Sequence, residues 1–300
     1  MANAKTLNYS DLSVAVGGVS RHDGAEIRKQ LSILGMQNIQ IDHEIESARH
    51  SVEKKEPDLF LCSMSKFGNE ARTLFQSIRN QEVGHNPFVV MISMAGRMSE
   101  SDVALNINSG TDDLLVGSFV RDRFVNRLNE LAWNRRKFVA LTNYVGPTRR
   151  NSARDGRAFA PEFEVPNPVR SIGTGIARKF LREEIAEAVK TLNIHKFGSD
   201  IALIRELVEE IVPDYKTGYI NDDFKRRIGM LHDVVEDLRL GATRIDNGDL
   251  ISLCELTGSI VAEIKARPIP PNLRHIQVMP KLVVGFETAL ASAREKTGSA

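Results

Sequence analysis

Three stretches, PDLFLCSM (57–64), PFVVMISMAG (87–96) and GTDDLLVGSF (110–119), decide the fold. Each carries a short apolar run, residues 59–62, 88–92 and 114–116, without polar residues at alternate positions. A strand with one wet face alternates apolar and polar side chains, so continuous runs mark strands covered on both faces. Residues 12–16, apolar but for Ser13, read as another strand, and Ile39 and Ile41 as a short alternating one. Between these strands the apolar spacing changes to that of helices. Ile27, Leu31 and Leu34 share one helix face that ends at Gly35, residues 44–55 form a polar helix, and Ala71, Leu74, Phe75 and Ile78 share a third face. Ser99, with Asp102 three residues on, opens a fourth helix, and Val120, Phe124, Leu128 and Leu131 line a fifth. Five strands alternating with five helices over such short connections require crossovers. The predicted unit is a doubly wound α/β domain with a parallel (βα)5 sheet, flavodoxin-like in its winding.

After this unit the strand signals stop. Residues 141–175 contain four prolines and four glycines with no sustained period, and read as a linker bearing Arg149, Arg150, Arg154, Arg157 and Arg170. Beyond it, apolar positions recur at helical spacing: Phe180 to Leu192, Ile201 to Ile211 with a stop at Pro213, Phe224 to Leu238, Leu250 to Ile264, and Leu282 to Leu290. Five helices with short connections predict an all-α helical bundle. The organisation read from the sequence is therefore 1–140 α/β, 141–175 linker and 176–300 helical.

Composition narrows the function classes. Forty Lys and Arg against 39 Asp and Glu give a formal charge of +1, so no global field favours nucleic acid. The longest apolar runs are far shorter than the ~20 residues of a membrane span, and no signal-peptide pattern opens the chain, so no membrane insertion is expected. Cys62 and Cys254 lie far apart in apolar runs, the setting of free thiols in a cytoplasmic protein.

The three opening stretches, in this order and spacing, resemble the receiver domain of two-component response regulators, over about residues 10–138. That resemblance implies a reaction centre at the carboxyl ends of the strands: an acidic pair holding Mg²⁺, an aspartate that accepts a phosphoryl group, a Ser or Thr hydroxyl, and a lysine. Cation and lysine would neutralise the transferring phosphoryl group. In this chain the acidic pair falls on Gly17 and Gly18, the acceptor on Ser63, the hydroxyl on Ser93 and the lysine on Gly117, so only Ser93 is retained. The resemblance thus implies a degenerate pseudo-receiver with no cofactor. Asp23 restores a metal ligand only if the alignment slips. The Gly17-Gly18 pair fits a tight turn better than a phosphate loop, since neither G-x-G-x-x-G nor a Walker pattern follows. In the family, partners bind the fourth helix, fifth strand and fifth helix, which corresponds to residues 99–135 here and includes Arg121, Arg123, Arg127 and Trp133. Arg149 and Arg150 of the linker are further partner-binding candidates.

In the helical half, His232 and Asp233 are an adjacent His-Asp pair like that of phosphotransfer helices, where a carboxylate orients the imidazole. His232 with Glu236 one turn on, and Asp246 or Asp249 from the next loop, offer ligand types for a divalent metal, although helix capping accounts for the two loop aspartates. Three functions follow in order. The first is a non-enzymatic, atypical response regulator that acts by protein–protein interaction, with a histidine kinase, another response regulator or a second copy of itself as partner. The second is a phosphorelay component that uses His232. The third is a metal-dependent hydrolase of the helical domain.

Overall fold

The computed structural model describes residues 7–96, 99–149 and 161–297. The α/β part comprises β1 (Ser13–Gly17), α1 (Arg21–Ile33), β2 (Asn38–Asp42), α2 (Ile45–Lys55), β3 (Leu59–Ser63), α3 (Met64–Phe67), α4 (Asn69–Arg79), β4 (Val90–Ala95), α5 (Glu100–Ile107), β5 (Asp113–Val116) and α6 (Arg121–Trp133). The five strands form one parallel sheet in the order β2-β1-β3-β4-β5. Alternate residues of β3 explain its unbroken apolar run: Leu59 and Leu61 enter the core shared with α1 and α6, while Phe60 and Cys62 enter the core shared with α2 and α4. Ser20 and Ser99 open α1 and α5 as capping residues, each accepting the backbone N–H of the Asp three positions on and donating its hydroxyl to that carboxylate.

Next come β6 (Phe138–Leu141), β7 (Tyr144–Pro147), α7 (Pro168–Gly173), α8 (Arg178–Thr217), α9 (Asp222–Arg244), α10 (Gly248–Ala266) and α11 (Leu273–Thr297). Compact units form from residues up to Val139 with Tyr144–Ala188, and from Ala140–Asn143 with the chain from Val189 on. The described parts of the stretch read as a linker, 141–149 and 161–175, therefore hold ordered structure. Val145, Phe163, Val169 and Ile172 are buried, and Phe163 pairs its backbone with that of Phe138. Asn167 caps α7 and also donates its side-chain amide to the Leu131 and Ala132 carbonyls at 2.8 and 3.2 Å, closing the end of α6.

The helical unit has its own core, built on Phe197, Ile204, Ile211, Leu231, Leu238, Leu250, Val261 and Phe286. Two expected helices are one, because α8 runs through residues 192–201 without a break and continues past Pro213. Proline removes a backbone donor but does not have to end a helix whose next turn is anchored. Tyr215 supplies that anchor: it is buried, and its ring stacks on Phe224 at 6.2 Å. Likewise α11 starts at Leu273 rather than near Leu282, with Pro280 inside it and His275 and Met279 buried before that proline. Among the described residues no helix is long and apolar enough to cross a membrane.

One buried polar network ties the α/β unit together. Arg79, at the end of α4, donates to Gly110 O (2.8 Å), Val89 O (2.9 Å), Pro87 O and Asp112 Oδ2 (2.7 Å). Arg135, just after α6, reaches Asp112 Oδ1 (2.9 Å), Phe88 O (2.8 Å) and Pro166 O (2.7 Å). Asp112 also accepts the Met91 N–H at 2.8 Å. Two arginines face one carboxylate, and the extra positive charge is met by backbone carbonyls and by the Phe138 ring, 4.9 and 5.0 Å from the two guanidinium carbons. Burial pulls Arg79 down to about 10 against the upward pull of Asp112. Burial also raises the Asp112 carboxyl, but Arg135 and Arg79 together outweigh it and hold the group below its ordinary 3.8.

A depressed folded pKa contributes stability that is present above the unfolded value and lost as pH falls through the folded one. Asp112→Asn is expected to cost the α/β unit about 3–5 kcal/mol at neutral pH, since it leaves two buried arginines without their carboxylate. Urea unfolding between pH 7 and pH 2 checks both points. The wild type should lose stability steeply below about pH 4, and the variant should show a shallower acid slope.

Candidate functional site

In a parallel sheet the carboxyl ends of the strands are where ligands bind. A cleft of about 540 Å³ opens there, lined among others by Asp23, Ser63, Ser65, Met94 and Gly117. The two glycines at the end of β1 are held by close contacts. Gly17 faces Ala48, whose Cβ lies 2.9 Å from the point where a side chain at 17 would begin. Gly18 has φ +73°, gives its N–H to Asp42 O at 3.0 Å, and has the Phe67 ring 2.7 Å from where a Cβ would stand. Phe67 belongs to α3, the extra turn that follows β3 directly, and it is nearly buried. The space in which a side chain at 18 would extend is thus filled by an aromatic ring, and that at 17 is closed by Ala48.

Ser63 is half-buried and starts α3 without a side-chain capping bond. Ser65, two residues on, accepts the Gly96 N–H at 3.1 Å. Ser93 is not at the edge. β4 runs to Ala95 rather than stopping at Ile92, and the residue level with Ser63 is Met94. Ser93 is fully buried and donates its hydroxyl to Oδ1 of the buried Asn106 at 2.8 Å, a polar anchor for α5. Gly117 has φ +90°, and Arg123 Nη2 stands 3.7 Å from where its Cβ would be, donating to Ser118 O at 2.7 Å. Arg123, one turn into α6, therefore brings a cation to the place where the resemblance puts a lysine. Asp23 is engaged in capping α1.

On the α5–β5–α6 side, Leu105, Val116 and Val120 are exposed, and β5 ends the sheet. Arg121 and Arg127 make pairs of 3.5 Å with Asp122 and Asp113. Trp133 is half-buried against the core, with the Arg170 guanidinium 5.2 Å from its ring, so its indole is covered. Arg149 donates to Thr111 O; Arg150 lies outside the described residues.

In the helical unit, His232 and Asp233 are exposed on α9. The Glu236 carboxylate is gripped by Arg239 at 2.8 and 2.6 Å, and that hydrogen bond lowers its pKa. Asp246 has φ +54°, Asp249 lies in the first turn of α10, and Asn247 caps that helix by accepting the Leu250 N–H at 3.1 Å. Among the described residues no three His, Cys, Asp or Glu side chains cluster as a metal site. Burial raises both Cys62 and Cys254 to about 12, which leaves them as unreactive thiols.

The sequence gives no hint of a second cleft, of about 590 Å³, at the amino ends of the strands. Lys55, Asp58, Arg178, Leu181 and Arg182 contribute to its lining. Asp58 is buried, accepts the Ser13 N–H at 2.8 Å and is held bidentately by Arg178 at 3.0 and 2.8 Å. Burial raises its pKa in spite of Arg178.

The Gly18–Phe67 contact makes a quantitative prediction. Gly18→Ala should destabilise the unit by about 1–3 kcal/mol through its positive φ and the ring contact. In the Phe67→Ala background the same change should cost measurably less, a coupling that a double-mutant cycle of urea midpoints reads directly. Neither a scan against protein-family models nor a search of the curated proteins finds a match for this chain.

Proposed function

We propose that this protein is a non-enzymatic signal-transduction protein, an atypical response regulator whose receiver-like unit works by protein contact rather than by phosphorylation. The observation that carries this reading is the Phe67 ring against Gly18, in the space a metal-binding acidic pair would need. Without carboxylates at 17, 18 and 63, neither Mg²⁺ nor an acyl phosphate has a place to form there. Leu105, Val116 and Val120 support a protein-binding role for the α5–β5–α6 side. They expose apolar surface at a sheet edge, flanked by Arg121, Arg123 and Arg127. A signalling protein such as a histidine kinase or response regulator is the partner class that accompanies this reading.

A second reading, phosphotransfer through His232, draws support from the exposure of that imidazole and from Glu236 one turn further along α9. One set of experiments separates the two. Purified protein is incubated with acetyl phosphate, and separately with ATP and a histidine kinase. Absence of label supports the contact reading, label on the α/β unit overturns it, and acid-labile label lost in His232→Ala establishes the second. For the contact itself, a photo-crosslinking residue is placed in cells at Val116, at Val120, or at the exposed Ile33 of α1. Discrete protein adducts from 116 and 120 but not from 33 are expected; adducts from all three alike, or from none, would remove the assigned surface.

A further inference from the structure

The first turns of α8 are attached to the α/β unit in an unusual way. Arg178, Leu181, Arg182 and Ile185 lie along one wall of the 590 Å³ cleft, with the amino ends of β1, β2 and β3 along the other. The helix thus lies over open space on this side rather than on a packed surface. Its apolar hold is small: Leu181 is buried, Ile185 is half-buried, and none of residues 182–188 is buried. Charge adds to that hold. Arg178 grips Asp58 with two hydrogen bonds and also donates to Asp11 O at 2.5 Å. The pair is asymmetric, with 41% of the Arg178 side chain exposed against 3% for Asp58. The carboxylate is built into the amino end of the sheet, where the Ser13 N–H holds it, while the cation sits on the first turn of α8. Arg182 adds an exposed pair with Glu56 at 3.4 Å, which screening by solvent makes weak.

We propose that residues 178–188 of α8 form a releasable strap, latched to the sheet edge by the Arg178–Asp58 pair, so that the docked start of the helix is switched by this one contact. When the strap is docked, α8 begins at Arg178. On release, the protected helix begins near residue 189, Leu181 meets water and the Asp58 carboxylate opens to the cleft.

Hydrogen exchange followed by mass spectrometry on the full chain tests this, reading peptides from 181–188 against peptides from β3 and β4. Arg178→Gln removes an exposed cation and leaves the sheet intact. It should speed exchange in 181–188 about tenfold while Leu59–Ser63 and Val90–Ala95 keep wild-type protection. Asp58→Asn, which retains an acceptor for the Ser13 N–H, should do the same from the other side; if it unfolds the unit, Arg178→Gln alone decides. Unchanged exchange in 181–188 overturns the strap. So does a rise shared equally by β3 and β4, because the pair would then support the whole unit rather than one segment.

Discussion

A single carboxylate, Asp112, organises the α/β unit. It lies before β5, and its partners come from after α6 (Arg135), the end of α4 (Arg79) and the start of β4 (Met91 N–H). A buried charge is costly unless fully paired and hydrogen-bonded, so these elements cannot be arranged independently. The same arginines reach the carbonyls of Pro87, Phe88, Val89, Gly110 and Pro166 and enclose the Phe138 ring. Segments far apart in the chain are thereby held at one edge of the sheet by directional bonds, while the apolar layers on its two faces supply non-directional burial.

How much of this is legible in the sequence depends on the kind of force involved. Burial on two faces writes itself as a continuous apolar run, so β1, β3 and the parallel winding are readable. Polar residues satisfied by distant partners are not. Ser93 hides the end of β4 because a buried hydroxyl bonded to Asn106 looks like a strand terminus. Residues 141–175 look like a linker because the described parts, 141–149 and 161–175, are held by pairings such as Phe163 with Phe138 and Asn167 with the end of α6, which no local period records. Pro213 looks like a stop because the stacking of Tyr215 on Phe224 is a tertiary fact.

The carboxyl edge of the sheet shows the same division. The residue types at 17, 18, 63 and 117 are plain in the sequence, and so is the loss of the chemistry that the resemblance would bring. What stands at those positions is visible only in three dimensions. An extra helical turn carries Phe67 onto Gly18, and Arg123 comes from one turn into α6 to stand beside Gly117. The Ser93 hydroxyl is buried and bonds Asn106 of α5, away from the carboxyl edge. The edge is therefore packed as structure around a remaining cleft.

The pair between Asp58 and Arg178 spans 120 residues of chain, and that between Arg135 and Pro166 spans 31. Proteins are made from the amino end, and a domain folds once its own segments have emerged. All five strands of the sheet precede residue 166 in the chain, and before it emerges Arg135 lacks its last carbonyl, the end of α6 lacks Asn167, and Asp58 stands open to the cleft without its arginine. A sheet that assembled at that stage would be complete before its charges were, until the start of α8 had been translated.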